Sequence, residues 1–198
     1  MLSKSERTKL FIIERSSPIF NKKGYAATSM TDILEATGMA KGGIYGNFKN
    51  KDEIALKAFD HSYHKIRDAL RSVIKAQSTA SGKLYAILKL YHNFSINPIV
   101  EGGCVILNTA IDADDSLPFL KARAQEALKE MLDSLKYIIE KGIKTGEFNT
   151  QLNAAAEAEL IFSLIEGGIM MSKLTDDPGI LNRLLENIMH QINTRFLQ

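Results

Sequence analysis

The amino-acid sequence predicts an all-α protein. Nearly every long segment places apolar residues three and four positions apart, which is the period of an amphipathic helix. No convincing run alternates apolar and polar residues as a half-buried strand does. The 198 residues are 45% hydrophobic and 24% charged with only four prolines, a composition typical of a folded chain rather than a disordered one. We therefore expect about nine helices and no sheet.

The first helix is predicted to run from Ser3 to about Lys23. Ser3 and Glu6 have the spacing of a capping box, in which each residue satisfies a free amide of the other. Gly24 suits the left-handed position that ends a helix. Pro18 lies inside the segment, and we expect a bend there because the proline ring clashes with the preceding turn.

Two short helices follow the first. Ser29 and Asp32 form a second capping box, which predicts a helix over residues 30–37 that Gly38 ends. A further short helix is predicted over residues 41–48. Three helices thus fall within the first fifty residues.

Longer helices are predicted for the rest of the chain. Asn50 and Glu53 open the fourth helix, which runs toward Ser78. Prolines, glycines and short polar segments divide the remaining sequence. The helices predicted between these breaks cover residues 81–96, 103–113, 117–144, 153–173 and 178–196.

Basic residues are concentrated at the start of the chain. Residues 1–51 carry nine Lys or Arg against four acidic residues, whereas the whole chain has a net charge of only +2. A basic end on an acidic body suggests a polyanionic partner. No apolar run reaches the ~18 residues that a membrane span needs, and no secretory signal is recognisable. We expect a cytoplasmic protein without a membrane partner.

Cysteine content limits the chemistry of the chain. Cys104 is the only cysteine, which excludes an internal disulfide and a thiolate metal cluster. No Ser/His/Asp, Cys/His or paired-carboxylate set stands at a recognisable spacing. We therefore expect no catalytic residues, no metal and no cofactor.

The two short helices and the glycine between them have the organisation of a helix-turn-helix. The second helix of such a pair enters the DNA major groove and presents its first residues to base edges. Here those residues are Lys41, Gly42, Gly43 and Tyr45. Lys51 begins the next helix, where an ammonium group and free backbone amides can meet a phosphate. The motif predicts binding to double-stranded DNA.

The segment TSMTDILEATGMAKGGIYGNFKNKDEI, residues 28–54, resembles TetR/AcrR-type transcriptional regulators. The pattern that carries the resemblance consists of Gly38, Gly42, Tyr45, Phe48 and Lys51. Five further helices in a chain of this length are similar to that family as well. The resemblance implies a three-helix DNA-binding head, residues 1–51, fused to a larger helical body for ligand binding and dimerisation, residues 52–198.

The resemblance also assigns roles to residues of the head. It implies that Tyr45 and Lys51 contact phosphates and that the second helix adds further contacts. Many similar regulators have Ser or Thr at Ala40 and Gly43 and His at Asn47, so base recognition is expected to depend on Lys41 and Thr31. The predicted DNA-binding set is Ser29, Thr31, Lys41, Gly42, Gly43, Tyr45, Asn47 and Lys51.

Apolar stripes on the last two helices indicate a dimer surface. Two helices at the end of a 198-residue chain cannot bury both faces internally, and pairing gives a helix-turn-helix its second half-site. Similar regulators pair through these two helices. The residues predicted for the homodimer interface are Leu160, Leu164, Gly167, Met171, Leu181, Leu184, Ile188 and Ile192.

The resemblance further implies a cavity within helices four to eight. In similar regulators an inducer binds there and moves helix four, so that the two heads no longer fit the DNA. Mixed aromatic and polar residues are candidates for the lining, although each could equally be ordinary core. They are Tyr85, Tyr91, His92, Cys104, Asn108, Tyr137 and Phe162.

Cys104 allows a second interpretation, because it begins a predicted helix. Backbone amides at a helix N-terminus lower the pKa of a thiol and make it reactive, so that Cys104 could sense oxidants or electrophiles. The alternative is a small buried apolar residue.

The sequence as a whole predicts a small-molecule-responsive repressor that binds a palindromic operator as a homodimer. The alternative is a helical-bundle adaptor or enzyme that does not bind DNA.

Overall fold

The computed structural model describes residues 3–92, 94 and 96–197. Positions 93 and 95 of the predicted fifth helix, and residues 1, 2 and 198 of the predicted domains, lie outside this part of the chain. The α-helices within it are α1 (Lys4–Ala27), α2 (Met30–Thr37), α3 (Lys41–Tyr45), α4 (Lys51–Lys75), α5 (Ala80–Tyr91), α6 (Val105–Ala113), α7 (Pro118–Lys144), α8 (Ala154–Thr175) and α9 (Gly179–Gln191), with a π-helical segment at Ile192–Phe196.

The all-α prediction is confirmed. The residues that the structure describes form no strand, and their only β-type pairing is an isolated bridge between Phe148 and Leu197. Within the same residues, no helix is both long enough and apolar enough to cross a membrane.

Both predicted capping boxes are present at the start of the chain. The Ser3 hydroxyl accepts the Glu6 amide at 3.2 Å, and the Glu6 carboxylate accepts the Ser3 amide at 2.7 Å. The interruption of α1 lies at Gly24, which was predicted to end the helix, and not at Pro18, where a bend was expected. Gly24, with φ of 78° and ψ of 169°, has non-helical backbone angles, whereas Pro18 lies within the helix. The chain therefore breaks at the glycine, which adopts these angles freely.

Helix α3 is shorter than predicted and ends at Tyr45. In a continued helix the carbonyl of Gly43 would accept the backbone amide of Asn47. Instead the Asn47 side-chain amide donates to that carbonyl at 2.8 Å, while the Asn47 backbone amide turns to Ile44. A Cβ atom at Gly46 would lie 3.1 Å from the carbonyl of Gly42, so a glycine here allows the tight exit from α3.

The described residues form two compact units. The first comprises residues 3–66 and 100–125, so it includes α6 as well as the predicted head. Its helix-turn-helix has a fully buried apolar centre in which α1, α2, α3 and α4 meet. The buried side chains there are Ile12, Ile33, Ile44, Phe48 and Ile54.

The second unit comprises residues 67–92, 94, 96–99 and 126–197, and α8 packs on α9 within it. Gly168 allows this close packing, because a Cβ there would lie 2.8 Å from the Leu181 side chain. Glu147 fixes the start of α5. Its carboxylate accepts the amides of Ala80 and Ser81 at 2.7 and 2.8 Å.

Candidate DNA-binding surface

The N-terminus of α2 is held by a dense polar network. The Ser29 hydroxyl accepts the Asp32 amide at 3.1 Å and donates to the Asp32 carboxylate at 2.8 Å. The Lys23 ammonium lies 2.6 Å from the same carboxylate. Hydrogen bonds from Lys23 and then from Ser29 hold the pKa of Asp32 well below its usual range. Ser29 thus caps α2, while Thr31 beside it is exposed.

The turn between α2 and α3 forms as predicted. Gly38 adopts a left-handed conformation with φ of 66°, and its amide donates to the Leu34 carbonyl at 2.8 Å. Ala40 then caps α3 without any side-chain hydrogen bond. Because alanine has no hydroxyl, the N-cap side chain cannot accept the first backbone amides of α3.

Helix α3 presents a bare basic face. Lys41, Gly42 and Tyr45 are exposed, whereas Ile44 between them is fully buried. The Lys41 ammonium lies 5.8 Å from the centre of the Tyr45 ring, a distance at which the ring face attracts a cation. A Cβ at Gly42 would meet nothing within 4 Å, while one at Gly43 would lie 2.9 Å from the Met39 side chain. Of these two glycines, Gly43 alone has a neighbour that a side chain would have to displace.

Lys51 makes different contacts from those expected. Its ammonium donates to the backbone carbonyls of Tyr25 at 3.0 Å and Thr28 at 2.9 Å. It also lies 4.0 Å from the centre of the Tyr25 ring. The side chain thus links the start of α4 to the end of α1, while its predicted contact with a DNA phosphate stays a prediction. The Asn47 amide is likewise engaged, because it caps α3.

Tyr25 is a structural residue of the head that the sequence analysis missed. Its backbone amide donates to the Asp112 carboxylate at 2.5 Å, and its hydroxyl donates to Asp52. Burial, together with the hydrogen bond and charge of Asp52, raises the pKa of Tyr25 to about 12. Its ring meets Phe119 edge-on at 5.9 Å. The sequence signal for this role was the Gly24-Tyr25 pair near the end of α1. A glycine that breaks a helix leaves the next backbone amide without its helical acceptor.

A small cavity of about 20 Å³ lies in the first unit. It has room for roughly one water molecule. None of the seven predicted pocket residues lines it. The lining includes Ser17, Asn21, Tyr25, Ser62, Thr109 and Asp112.

The predicted pocket residues of the second unit differ from one another in burial and in contacts. The Tyr85 hydroxyl donates to Asn193 at 2.5 Å, and the buried Tyr91 ring lies 5.2 Å from Phe94. Phe162 is buried and His92 is half-buried. Tyr137 is 58% exposed, and its place in a pocket stays a prediction.

The remaining two predicted pocket residues lie in the first unit. Cys104 is buried at the N-cap of α6, which favours the interpretation of this cysteine as a small apolar residue. The Asn108 side-chain amide lies 3.0 Å from the carbonyl and from the side-chain oxygen of Asn21. Asn108 thus contacts α1 rather than an open pocket.

The predicted dimer residues divide into two groups. On α8, Leu160 and Met171 are exposed, and Leu164 and Gly167 are half-buried. On α9 and beyond, Leu184 is half-buried, but Leu181, Ile188 and Ile192 are at most 2% exposed within the single chain. These last three pack in the core of the second unit, so the single chain does not present them on its surface. Met170 and Leu174 are also exposed on α8 and were not among the predicted interface residues.

Comparison with known proteins gives a consistent assignment. The family model described as "Bacterial regulatory proteins, tetR family" matches residues 12–58. The model described as "Tetracyclin repressor-like, C-terminal domain" matches residues 80–188. Together these models include the helix-turn-helix and most of the helical body.

Individual relatives agree over the whole chain. A TetR-family regulator from Cytophaga hutchinsonii is 35% identical, with a TM-score of 0.92 over 100% of this chain and 99% of that one. A TetR regulator from Chloroflexus aurantiacus is 30% identical, with a TM-score of 0.95 over 99% of both chains. The fatty acid metabolism regulator protein of Bacillus subtilis is 25% identical over 93% of this chain and 95% of its own length. The chain belongs to the TetR family of bacterial transcriptional regulators.

Proposed function

We propose that this regulator is a cytoplasmic repressor that binds a palindromic operator as a homodimer and leaves it when a small molecule binds. The relatives named above are transcriptional regulators, and the family is non-enzymatic. In this proposal residues 1–51 contact DNA, and residues 52–198 bind the ligand and the second copy.

The exposed face of α3 is the observation that carries the proposal. Lys41, Gly42 and Tyr45 lie side by side on a helix whose opposite side is buried through Ile44. A short helix with a cation, an aromatic hydroxyl and a bare backbone can approach base edges closely. The cluster of buried apolar side chains beneath it holds that face rigidly, as sequence-specific recognition requires.

Replacing Lys41 by Ala tests this role. The operator is first identified by selection from random duplexes or from the DNA upstream of the gene. The variant should lose discrimination between operator and unrelated duplex by about 1–3 kcal/mol, the usual contribution of one good base contact. Lys129→Ala is the matched control, because it removes the same charge from an exposed position on α7. Unchanged sequence preference in the Lys41 variant would count against base recognition by this residue.

The self-association surface is proposed on α8. Leu160, Leu164, Gly167, Met171 and Leu174 recur at alternating spacings of four and three residues, which places them on one side of the helix. Leu174 is 79% exposed and Leu160 is 41% exposed. A Cβ at Gly167 would meet nothing within 4 Å, so the middle of this stripe is open to a second copy. Exposed apolar stripes of this kind typically mark protein interfaces.

The oligomeric state of a charged variant tests the interface. Leu160→Glu and Leu174→Glu place a carboxylate at the two ends of the proposed contact, and each should shift the protein to monomer in sedimentation velocity. Ile96→Glu is the control, since Ile96 is 68% exposed but lies outside α8. A wild-type monomer, or a dimer that survives both α8 substitutions, would refute this surface.

Fatty acids are the first class of inducer to test, because one relative is named a regulator of fatty acid metabolism. An inducer should raise the melting temperature of the free protein, since it binds only the folded state. It should also release the operator at the same concentration. An alkyl sulfate of equal chain length controls for detergent effects.

A further inference from the structure

The break in α1 removes one hydrogen bond of the helix. In a continuous helix the amide of Tyr25 would donate to the carbonyl of Asn21, four residues earlier. Gly24, with its φ of 78° and ψ of 169°, turns the chain out of helical geometry between these two groups. A backbone donor and a backbone acceptor are thereby left to find other partners, because unpaired buried groups are strongly unfavourable.

Helix α6 supplies both missing partners. The Asn108 side-chain amide lies 3.0 Å from the Asn21 carbonyl, and the Asp112 carboxylate accepts the Tyr25 amide at 2.5 Å. Asn108 and Asp112 are four residues apart on α6 and therefore lie on the same face. The fit is close, because a Cβ at Gly24 would lie 2.8 Å from the Asp112 carboxylate.

The side chain of Asn21 is held as firmly as its carbonyl. Its amide donates to the carbonyls of Glu101 at 2.6 Å and Gly103 at 3.0 Å. Asn108 also lies within 3.0 Å of the Asn21 side-chain oxygen and of the Gly102 carbonyl. The segment before α6 and the face of α6 thus hold α1 from the same side.

The residues that follow the break lead directly to the helix-turn-helix. Only three residues separate Tyr25 from Ser29, the N-cap of α2. Lys51 at the start of α4 binds the carbonyls of Tyr25 and Thr28, and the Tyr25 hydroxyl donates to Asp52. A shift of the Tyr25 amide would therefore also displace the first turns of α2 and α4.

We propose that Asn108 and Asp112, here called the α6 clamp, position the helix-turn-helix for operator binding without touching DNA. The clamp fixes the junction between α1 and α2 by replacing the hydrogen bond that Gly24 removes. Pre-organisation of a binding surface raises affinity because less ordering remains to be done on binding. The inference goes beyond the proposed function, since it assigns control of operator affinity to side chains of α6.

Isosteric substitutions separate this role from simple destabilisation. Asn108→Asp keeps the shape of the side chain but places a carboxylate oxygen, which cannot donate, opposite the carbonyl oxygens of Asn21 and Gly102. Asp112→Ala removes the acceptor of the Tyr25 amide. Asp112→Asn is the conservative variant, because its amide oxygen can still accept the Tyr25 amide. Asp115→Asn is the control for charge, since Asp115 is exposed near the end of α6. Stoichiometric titration with operator gives the active fraction of each protein.

The disruptive variants should weaken operator binding about tenfold, as expected when roughly one or two net hydrogen bonds are lost. Binding to unrelated duplex and the slope of log affinity against log salt should stay at wild-type values, because no phosphate contact is removed. Asp112→Asn and Asp115→Asn should bind within about twofold of wild type. Hydrogen exchange should become faster at the amides of residues 25–29 in the disruptive variants only.

Unchanged or higher operator affinity in both disruptive variants would overturn the proposal. So would a salt slope reduced by about 0.9, since that would mark a lost phosphate contact. If the wild-type protein bound no duplex selectively, the proposed function would fail. The exchange measurement would still decide whether the α6 clamp holds the junction.

Discussion

Lys51 gives the most direct test of how the helix-turn-helix is held together. Replacing it by Met keeps the length of the side chain but removes the ammonium group that binds the Tyr25 and Thr28 carbonyls. The substitution separates two roles for a lysine at this position. A phosphate ligand contributes to DNA binding alone, whereas a link between α1 and α4 contributes to stability.

The expected loss follows from the contacts of the ammonium group. Hydrogen bonds that involve a charged group contribute about 1.5–3 kcal/mol each, and a cation above an aromatic ring adds about 0.5–1 kcal/mol. The side chain is half-buried, so water can replace part of these contacts. We expect Lys51→Met to lower the free energy of unfolding by about 2–4 kcal/mol.

Chemical denaturation and DNA titration together provide the assay. Lys57→Met is the matched control, because Lys57 lies on the same helix with its side chain 53% exposed. It should change stability by less than about 0.5 kcal/mol. The salt slope of operator binding should be the same for Lys51→Met and wild type. Wild-type stability combined with a slope reduced by about 0.9 would refute the structural role and identify Lys51 as a phosphate ligand.

Three further predictions concern glycines and one half-buried carboxylate. Gly24→Ala should lower the free energy of unfolding by about 1–3 kcal/mol, because its backbone angles are accessible almost only to glycine; a denaturation curve like that of wild type would contradict this. Gly142→Ala should destabilise by at least about 1–3 kcal/mol, since the new Cβ would lie 2.2 Å from the Phe148 ring, whereas Gly167→Ala, with open space around it, should not. Burial raises the pKa of Glu147, but hydrogen bonds from the start of α5 outweigh it and leave that pKa below 4.5. Glu147 therefore stabilises the fold above about pH 4.5, and the stability difference between wild type and Glu147→Gln should disappear as the pH falls through the lowered pKa. A difference that does not vary with pH would show that the carboxylate is not linked to folding.

Local signals in the sequence were sufficient for most of the helix boundaries. Ser29 and Asp32 predicted the start of α2, and Gly38 predicted its end, because capping depends on residues three positions apart. The end of α3 was not predictable in this way. It depends on Asn47 turning its side chain back to the Gly43 carbonyl, and a propensity scale does not describe that competition between side chain and backbone.

Long-range partners account for the contacts at the candidate sites that the sequence did not predict. Lys51 has the sequence context of a phosphate ligand, but its carbonyl partners lie at residues 25 and 28. The apolar stripe of Leu181, Ile188 and Ile192 was visible in the sequence. Periodicity does not show, however, whether the helix that covers such a stripe belongs to the same chain or to a second copy. In the structure these residues are buried within one chain. The exposed stripe on α8 is the surface that we propose for a second copy.

The pairing of Lys23 with Asp32 has a consequence for the approach to DNA. A carboxylate at the start of α2 stabilises that helix through its free amides and its dipole. The same negative charge would repel the phosphates of an approaching duplex. With Lys23 2.6 Å away, the protein carries a covalently attached counterion for this acid. Asp32 can thereby keep the negative charge that stabilises α2, while Lys23 reduces the repulsion of that charge from DNA phosphates.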